Sequence, residues 1–254
     1  MLGCNNVIPK VIFKVMSLEE NIENIKWMFF DTEGEFSIRD AVIQYFPDLK
    51  DLIDLESKEN IYKNIEKLIK ECYEYSLEKI ELDVKRYNDI WNEYNDRYFS
   101  SLRKYLNIDW PSEKQIIVAK VGLIPVFPRY LDEFSFDLSF SLNKEKVVEV
   151  TAHETLHFLW FDKWKQLYPN CDRKEYDSPH LAWKYSEMVT DPILNSKDIN
   201  DVLKIEEKAY DSFYNIKDGN NNMMENLKSI YNSNSSIEFK ITNGYEYVKT
   251  ILEK

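Results

Sequence analysis

The sequence predicts a predominantly helical α+β fold. Apolar residues recur at spacings of three and four over residues 56–107, and no glycine or proline interrupts this stretch, as is typical of helices. A second apolar stretch, 144–166, also favours a long helix. Residues 134–140 instead alternate between apolar and polar side chains, which predicts a half-buried strand. We therefore expect a mainly helical N-terminal region, 1–110, followed by a domain at 111–254 that combines a small mixed sheet with helices.

The remaining elements are predicted from local patterns and from the positions of the prolines. The stretch at 56–107 is longer than most globular helices, so we expect a break near 74–82. Ser178-Pro179 is expected to begin a helix and Asp191-Pro192 to end it, because the residue before a proline avoids helical geometry. The other predicted elements are a strand at 11–16, helices around 18–29 and 37–55, a strand at 116–121, a helix at 198–216, a strand near 237–242 and a terminal helix from 244.

The charge and the cysteines limit the classes of partner and compartment. The chain carries a net charge of −12 and no basic cluster, so binding to nucleic acid or to an acidic membrane is disfavoured. No run of about 18 apolar residues is present, so no membrane span is expected. Cys4, Cys72 and Cys171 are far apart and form no C-x-x-C pair, which argues against a disulfide framework. We therefore predict a soluble protein of the reducing cytoplasm.

Two of the three histidines lie in one pentapeptide, His153-Glu154-Thr155-Leu156-His157, which is the H-E-x-x-H pattern. Residues four apart share a helix face, so the two imidazoles can bind one zinc ion from the same side. Zinc lowers the pKa of a bound water, and Glu154 can then take its proton as a general base. The apolar flanks predict a buried helix, in which these polar groups would be costly without a metal. The alternative is a pair of hydrogen-bonded core histidines.

Glu187 is the predicted third protein ligand of this zinc site. Glu187 and Asp191 lie four residues apart on the helix predicted at 179–191, so they share one helix face. We expect Glu187 to bind the metal and Asp191 to orient a histidine, although a solvated acidic pair is the alternative. His180 is a candidate for stabilising the substrate oxyanion, and equally a surface histidine. Weaker candidates for the same role are Tyr185, Tyr210 and Tyr214.

The H-E-x-x-H pentapeptide and the later Glu187-Met188-Val189-Thr190-Asp191 together resemble the motifs of the gluzincins, the thermolysin-like zinc metallopeptidases. The resemblance covers about residues 115–195 and implies a minimal gluzincin-like core of a small mixed sheet and two motif helices. It also implies zinc binding by both histidines and Glu187, general-base catalysis by Glu154, and support of a histidine by Asp191. The chain is similar as well to uncharacterised bacterial proteins with the same two motifs. It departs from thermolysin at Ser186, where thermolysin has asparagine.

The predicted function is zinc-dependent hydrolysis of peptide bonds in a peptide or protein substrate. The strand at 116–121, followed by prolines at 125 and 128, is a candidate edge for docking an extended peptide. Two alternatives stay open, namely a zinc-stabilised protein-interaction module without turnover and a regulatory peptidase with a single protein substrate. A latent form, in which the chain after about residue 217 occupies the cleft, is open as well.

Overall fold

The structure of the chain, a computed structural model, describes residues 8–32, 37–52 and 57–253. It is mostly helical and contains a small mixed sheet of four strands, so the predicted α+β class is confirmed. The described helices are α1 (Leu18–Phe30), α2 (Ile38–Tyr45), α3 (Lys58–Asn92), α4 (Asn95–Leu106), α5 (Lys144–Leu167), α6 (Leu181–Leu194), α7 (Lys197–Leu203), α8 (Asp211–Tyr214), α9 (Met223–Tyr231) and α10 (Ile237–Leu252). The described strands are β1 (Lys10–Val15), β2 (Ile116–Gly122), β3 (Arg129–Tyr130), β4 (Ser135–Ser139), β5 (Lys217–Asp218) and β6 (Asn221–Asn222).

The described residues divide into two compact units. The sheet unit contains residues from 10–93 and 116–150, and the helical unit contains residues from 94–115 and 151–253. Each unit includes residues of both predicted domains, because β1, near the start of the chain, pairs with β2 in one sheet. The H-E-x-x-H pentapeptide lies in the part of α5 that belongs to the helical unit.

The four-stranded sheet has the order β1-β2-β4-β3. β1 and β4 both run parallel to β2, whereas β3 pairs antiparallel with β4. β2 is therefore an inner strand, and the prediction that the strand at 116–121 offers an edge to a docked peptide is wrong. The inner position suits its apolar side chains, since Ile117, Ala119 and Val121 are all buried. The prolines that favoured an edge position follow the strand and lie outside it.

β4 is buried along its whole length, although its alternating pattern predicts a half-buried strand. Its polar residues have polar partners inside the sheet unit. Asn24 donates a 2.8 Å hydrogen bond from its Nδ2 to Asp137 Oδ2, and Tyr87 donates a 3.2 Å hydrogen bond from its hydroxyl to the Ser139 carbonyl. Buried polar groups are tolerated when they are hydrogen-bonded. The apolar and polar side chains of β4 therefore alternate between apolar packing and hydrogen bonding, and both kinds are buried.

The N-terminal elements follow the sequence closely. The predicted strand at 11–16 and helix at 18–29 are confirmed as β1 and α1, and a capping box of Ser17 and Glu20 fixes the start of α1. The helix predicted at 37–55 ends early, at Tyr45, because the next residue, Phe46, precedes Pro47 and is disfavoured in helical geometry. A 3₁₀ helix, Pro47–Leu52, follows it, and the rest of the predicted helix, 53–55, lies outside the described residues.

α3 continues without interruption through 74–82, so the predicted break there is wrong. Its buried side chains include Ile80, Tyr87 and Trp91, which extend the apolar stripe beyond the expected break. No glycine or proline lies in the stretch to favour an interruption. The helix ends at Asn92 instead, and α4 begins at Asn95.

α6 differs at both ends from the helix predicted at 179–191. It begins at Leu181 with His180 as its N-cap, so Ser178-Pro179 precedes the helix. It also continues past Asp191, with Pro192 inside its last turn, to Leu194. A proline removes one backbone hydrogen bond from a helix, but Pro192, Ile193 and Leu194 are all buried, and their packing keeps this turn helical.

The helix predicted at 198–216 is interrupted. α7 ends at Leu203, where Lys204 has a left-handed backbone conformation with φ of 56°, and α8 begins only at Asp211. The intervening residues, 204–210, form no regular structure. The strand predicted near 237–242 is wrong too. These residues form the first turns of α10, where Ile237 and Ile241 are buried at helical spacing.

None of the described helices is long and apolar enough to cross a membrane. Cys72 and Cys171 are free thiols, and Cys4 lies outside the described residues.

Candidate metal centre

Three side chains of the helical unit converge on one point. His153 and His157 lie one turn apart on α5, and their Nε2 atoms are 3.2 Å from each other. α6 supplies Glu187, whose Oε2 lies 3.2 Å from His153 Nε2 and whose Oε1 lies 3.6 Å from His157 Nε2. The two histidines and Glu187 thus form a group of potential metal ligands. The structure brings together the three residues that the sequence predicts as ligands.

The spacing of these atoms fits a tetrahedral zinc ion. Zinc binds imidazole nitrogen and carboxylate oxygen at about 2.0–2.2 Å, so two donor atoms at the tetrahedral angle lie about 3.3–3.5 Å apart. In the structure the two Nε2 atoms lie 3.2 Å apart, and they lie 3.2 and 3.6 Å from two different oxygens of the Glu187 carboxylate, so each of these separations is close to this value. One ligand atom from each side chain lies within 4.8 Å of the other two, so the three residues could hold one ion.

The burial of the three residues also fits a metal centre. The side chains of His157 and Glu187 are 0% and 2% exposed, whereas that of His153 is 20% exposed. Burying a carboxylate is costly unless a cation or hydrogen bonds compensate for the lost hydration. His153 is therefore the most exposed of the three residues.

Glu207 contacts the other nitrogen of the His153 ring. Its Oε1 lies 2.8 Å from His153 Nδ1, and its side chain is buried. Burial alone would lower the pKa of His153, but the hydrogen bonds to Glu187 and Glu207 and the charges of Glu207 and Glu154 outweigh it and raise that pKa well above its usual value. His153 therefore lies between two acidic side chains, with one at each ring nitrogen.

Glu154 is buried beside this group. It follows His153 on α5, is 6% exposed, and its charge contributes to the raised pKa of that histidine. It is not one of the three converging ligands. Its general-base role stays a prediction of the motif.

Asp191 does not contact either histidine, which corrects its predicted role. Its Oδ1 accepts a 2.9 Å hydrogen bond from Asn195 Nδ2, and its Oδ2 accepts from the Tyr214 hydroxyl and lies 2.7 Å from Lys228 Nζ. Asp191 is 1% exposed, so these contacts compensate for its burial. The helix-face argument places Asp191 one turn beyond Glu187 correctly, but it cannot reveal which side chains from later segments meet it.

His180 and Tyr185 lie elsewhere in the helical unit. His180 is the N-cap of α6, with extended backbone, and its Nδ1 lies 3.8 Å from Glu175 Oε1. It is therefore not in the first helical turn, where the sequence predicts it, and its role in stabilising an oxyanion stays a prediction. The Tyr185 hydroxyl lies 2.9 Å from the Tyr231 hydroxyl and donates a 3.0 Å hydrogen bond to the Ile241 carbonyl, deep in the core.

The chain after residue 217 is part of the folded helical unit. α9 and α10 pack against each other and against α6, and they bury Met224, Tyr231 and Val248 among other side chains. Lys228 of α9 forms an ion pair with Asp191. Trimming the chain after residue 217 would therefore remove core side chains, and it would not serve as a test for a latent form.

Sequence reasoning missed Glu207. It lies in a segment predicted as helix, and nothing in the pattern Ile205-Glu206-Glu207-Lys208 distinguishes one glutamate from the other. Glu206 is exposed and Glu207 is buried, a difference that only the path of residues 204–210 produces.

Comparison of the chain with protein-family models, with curated proteins and with solved structures gave no match.

Proposed function

We propose that this chain is a zinc-dependent peptidase, with zinc bound by His153, His157 and Glu187 and with Glu154 as the general base. The observation that supports the proposal most directly is the convergence of the two Nε2 atoms and the Glu187 carboxylate, whose contacts with one another measure 3.2–3.6 Å. These separations suit zinc, and the adjacent buried glutamate suits hydrolysis. Two histidines and one carboxylate form a typical ligand set for catalytic zinc.

Each residue has a defined task in this reaction. Zinc, when bound, supplies Lewis acidity and lowers the pKa of water in its fourth position. Glu154 accepts a proton from the attacking water and delivers it to the amine nitrogen as the peptide C–N bond breaks. His157 and Glu187, both buried, hold their donor atoms in place, and His153 presents its Nε2 to the same point.

We also propose a gluzincin-like relation for the helical unit, since the H-E-x-x-H helix and the helix of Glu187 contribute ligands as they do in that family. The substrate would be a peptide or protein, in line with the disfavoured binding of nucleic acid by a chain of net charge −12. The reducing cytoplasm is the proposed compartment, since Cys72 and Cys171 are free thiols.

Metal content tests the proposed ligands. Purified parent protein is expected to contain about one zinc per chain, because a site with three protein ligands binds the ion tightly enough to survive purification. Glu187→Ala removes one donor and leaves two, so its zinc content is expected to fall strongly. Glu206→Ala, an exposed glutamate of the same unit, is the matched control and should keep its zinc. Full zinc retention in Glu187→Ala would refute the proposed ligand set.

Hydrolysis tests the proposed base. The parent and a Glu154→Gln variant are incubated with a peptide library, and new termini are identified by mass spectrometry. Loss of the general base is expected to lower kcat about 10²–10⁴-fold while zinc stays bound. Glu145→Gln, in the exposed first turn of α5, is the control and should cleave like the parent. Zinc-loaded parent protein without any cleavage would favour the interaction module or a single protein substrate over a general peptidase.

A further inference from the structure

The Glu207 side chain has a single hydrogen-bond partner among the described residues, namely His153. Glu207 is 4% exposed, so its carboxylate has lost most of its hydration. A buried carboxylate without compensation is strongly unfavourable, and the 2.8 Å contact with Nδ1 is the compensation that the structure offers. The contact with His153 is therefore the polar interaction that compensates for the burial of this side chain, since its other oxygen, Oε2, is buried without a hydrogen-bond partner among the described residues.

We propose that Glu207 is the positioning residue of the metal centre, and that Asp191 acts on the centre indirectly through Asn195. This inference rests on the proposed zinc site. It assigns to Glu207 the support of a histidine that the motif predicts for Asp191, and it places Asp191 three contacts away from His153.

The contact between Asn195 and Glu207 holds the backbone of Glu207 in place. The segment 204–210 has no regular secondary structure that would fix the position of the residue. The Asn195 side chain takes over that task, since its Oδ1 accepts a 3.1 Å hydrogen bond from Glu207 N and its Nδ2 donates a 2.7 Å bond to Glu207 O. One amide thus binds both polar groups of the Glu207 backbone. Asn200 closes the same turn with a 2.5 Å hydrogen bond from its Nδ2 to Ile205 O.

The second contact fixes the orientation of that amide. Asn195 Nδ2 also donates a 2.9 Å hydrogen bond to Asp191 Oδ1, so the nitrogen and not the oxygen must face Asp191. Lys228 Nζ lies 2.7 Å from Asp191 Oδ2 and keeps the carboxylate in place. Reversing the Asn195 amide would put two oxygens against each other at Asp191 and would break both bonds to Glu207. Asp191 therefore selects the amide orientation that binds Glu207.

The chemical consequence is a fixed tautomer of His153. A neutral imidazole binds metal through Nε2 only when its proton is on Nδ1. Glu207 Oε1 accepts that proton's hydrogen bond, which holds the ring plane and directs the Nε2 lone pair toward His157 and Glu187. Such partners typically change metal affinity 10–100-fold when they are removed.

Zinc affinity and a cobalt spectrum test this assignment on the full chain. The dissociation constant for zinc is measured by competition with a chromophoric chelator, and Co²⁺ substituted for zinc reports the ligand geometry through its visible absorption. Glu207→Ala is expected to weaken zinc binding 10–100-fold and to change the Co²⁺ spectrum. Glu207→Gln keeps an oxygen acceptor, so its zinc affinity and its Co²⁺ spectrum should be close to those of the parent. Asn195→Ala is expected to weaken binding in the same direction by a smaller factor.

Glu206→Ala is the matched control, because Glu206 is the exposed neighbour of Glu207. Its affinity and spectrum should equal those of the parent. Equal zinc affinity and an unchanged Co²⁺ spectrum in Glu207→Ala would overturn the inference and leave the zinc site intact. A parent that binds no zinc would overturn the zinc site itself, and this inference with it. If Glu207→Ala does not fold, Glu207→Gln is compared with Glu207→Leu, provided that the Leu variant folds. Equal zinc affinities and equal Co²⁺ spectra in these two variants would also overturn the inference.

Discussion

Asp137, a buried carboxyl group of the sheet unit, is predicted to make the chain less stable as the pH rises. It is 1% exposed, and its Oδ2 accepts hydrogen bonds from Asn24 and Tyr130 at 2.8 and 3.1 Å. Its Oδ1 has no hydrogen-bond partner among the described residues. Burial is the largest influence and raises the pKa of Asp137 from 3.8 to about 6, although both hydrogen bonds and the charge of Lys120 lower it.

The sign and size of the effect follow from this pKa. Between pH 3.8 and about 6 the folded chain holds a proton on Asp137 that the unfolded chain has lost, so the free energy of unfolding falls as the pH rises. Each pKa unit corresponds to about 1.4 kcal/mol, so ionised Asp137 lowers the free energy of unfolding by roughly 3 kcal/mol above pH 7. Below pH 3.8 this loss disappears, because Asp137 is then neutral in both states.

The substitution Asp137→Asn isolates this effect. Asparagine keeps an oxygen that accepts from Asn24 and Tyr130, and it adds a buried amide nitrogen without a partner, at a cost of about 1–3 kcal/mol that does not depend on pH. Urea unfolding of parent and variant is followed by fluorescence between pH 4 and 8. The free energy of unfolding of the variant is expected to rise relative to the parent by roughly 2–3 kcal/mol across this range.

The exposed neighbour Asp132 supplies the control, since Asp132→Asn removes the same charge without a buried group. Its free energy of unfolding is measured over the same pH range, so that the loss of an exposed charge is compared with the loss of a buried one. Parallel pH curves for Asp137→Asn and the parent would refute the reasoning, because they would mean that Asp137 titrates alike in the folded and unfolded chain.

Two further predictions concern the core of the helical unit. A Cβ at Gly244 would overlap the Tyr185 hydroxyl, so Gly244→Ala should lower Tm. The overpacking costs about 1–3 kcal/mol, which exceeds the gain of about 1 kcal/mol from the higher helix propensity of alanine. Asn243→Ala, exposed on the same helix, should not lower Tm, and a Gly244→Ala variant as stable as this control would contradict the overlap. Tyr185→Phe removes a buried hydroxyl with partners in Tyr231 and Ile241, so it should reduce the free energy of unfolding by about 1 kcal/mol and leave kcat unchanged. A large fall in kcat would instead restore Tyr185 as an oxyanion donor.

The spacing of the motif residues could be predicted because helical geometry is local. The separation of four residues between His153 and His157, and a buried helix around them, are enough to place both imidazoles on one face. The position of Glu187 on a second buried helix could be predicted in the same way, although the predicted ends of that helix were wrong. The residue before Pro192 has a local preference for non-helical backbone geometry, and the burial of the last helical turn outweighs this preference.

The partners of these residues could not be predicted in the same way. Asp191 shares a helix face with Glu187, but whether it reaches a histidine depends on where residues 204–210 run. That path begins at the left-handed Lys204 and is held by the side chain of Asn195. Asn195 in turn contacts Asp191, whose other oxygen meets Lys228 of α9. These contacts join segments far apart in the chain, and no periodic pattern records them.

The sequence by itself therefore determined the α+β class, the long helices and the candidate ligands His153, His157 and Glu187. Each depends on periodicity or on the spacing of residues within one element. The tertiary structure decided that β2 is an inner strand, that Asp137 is buried and that Glu207 meets His153. The physical reason is that strand order, burial of polar groups and hydrogen bonds between distant segments depend on which elements pack together, and packing is a property of the whole chain.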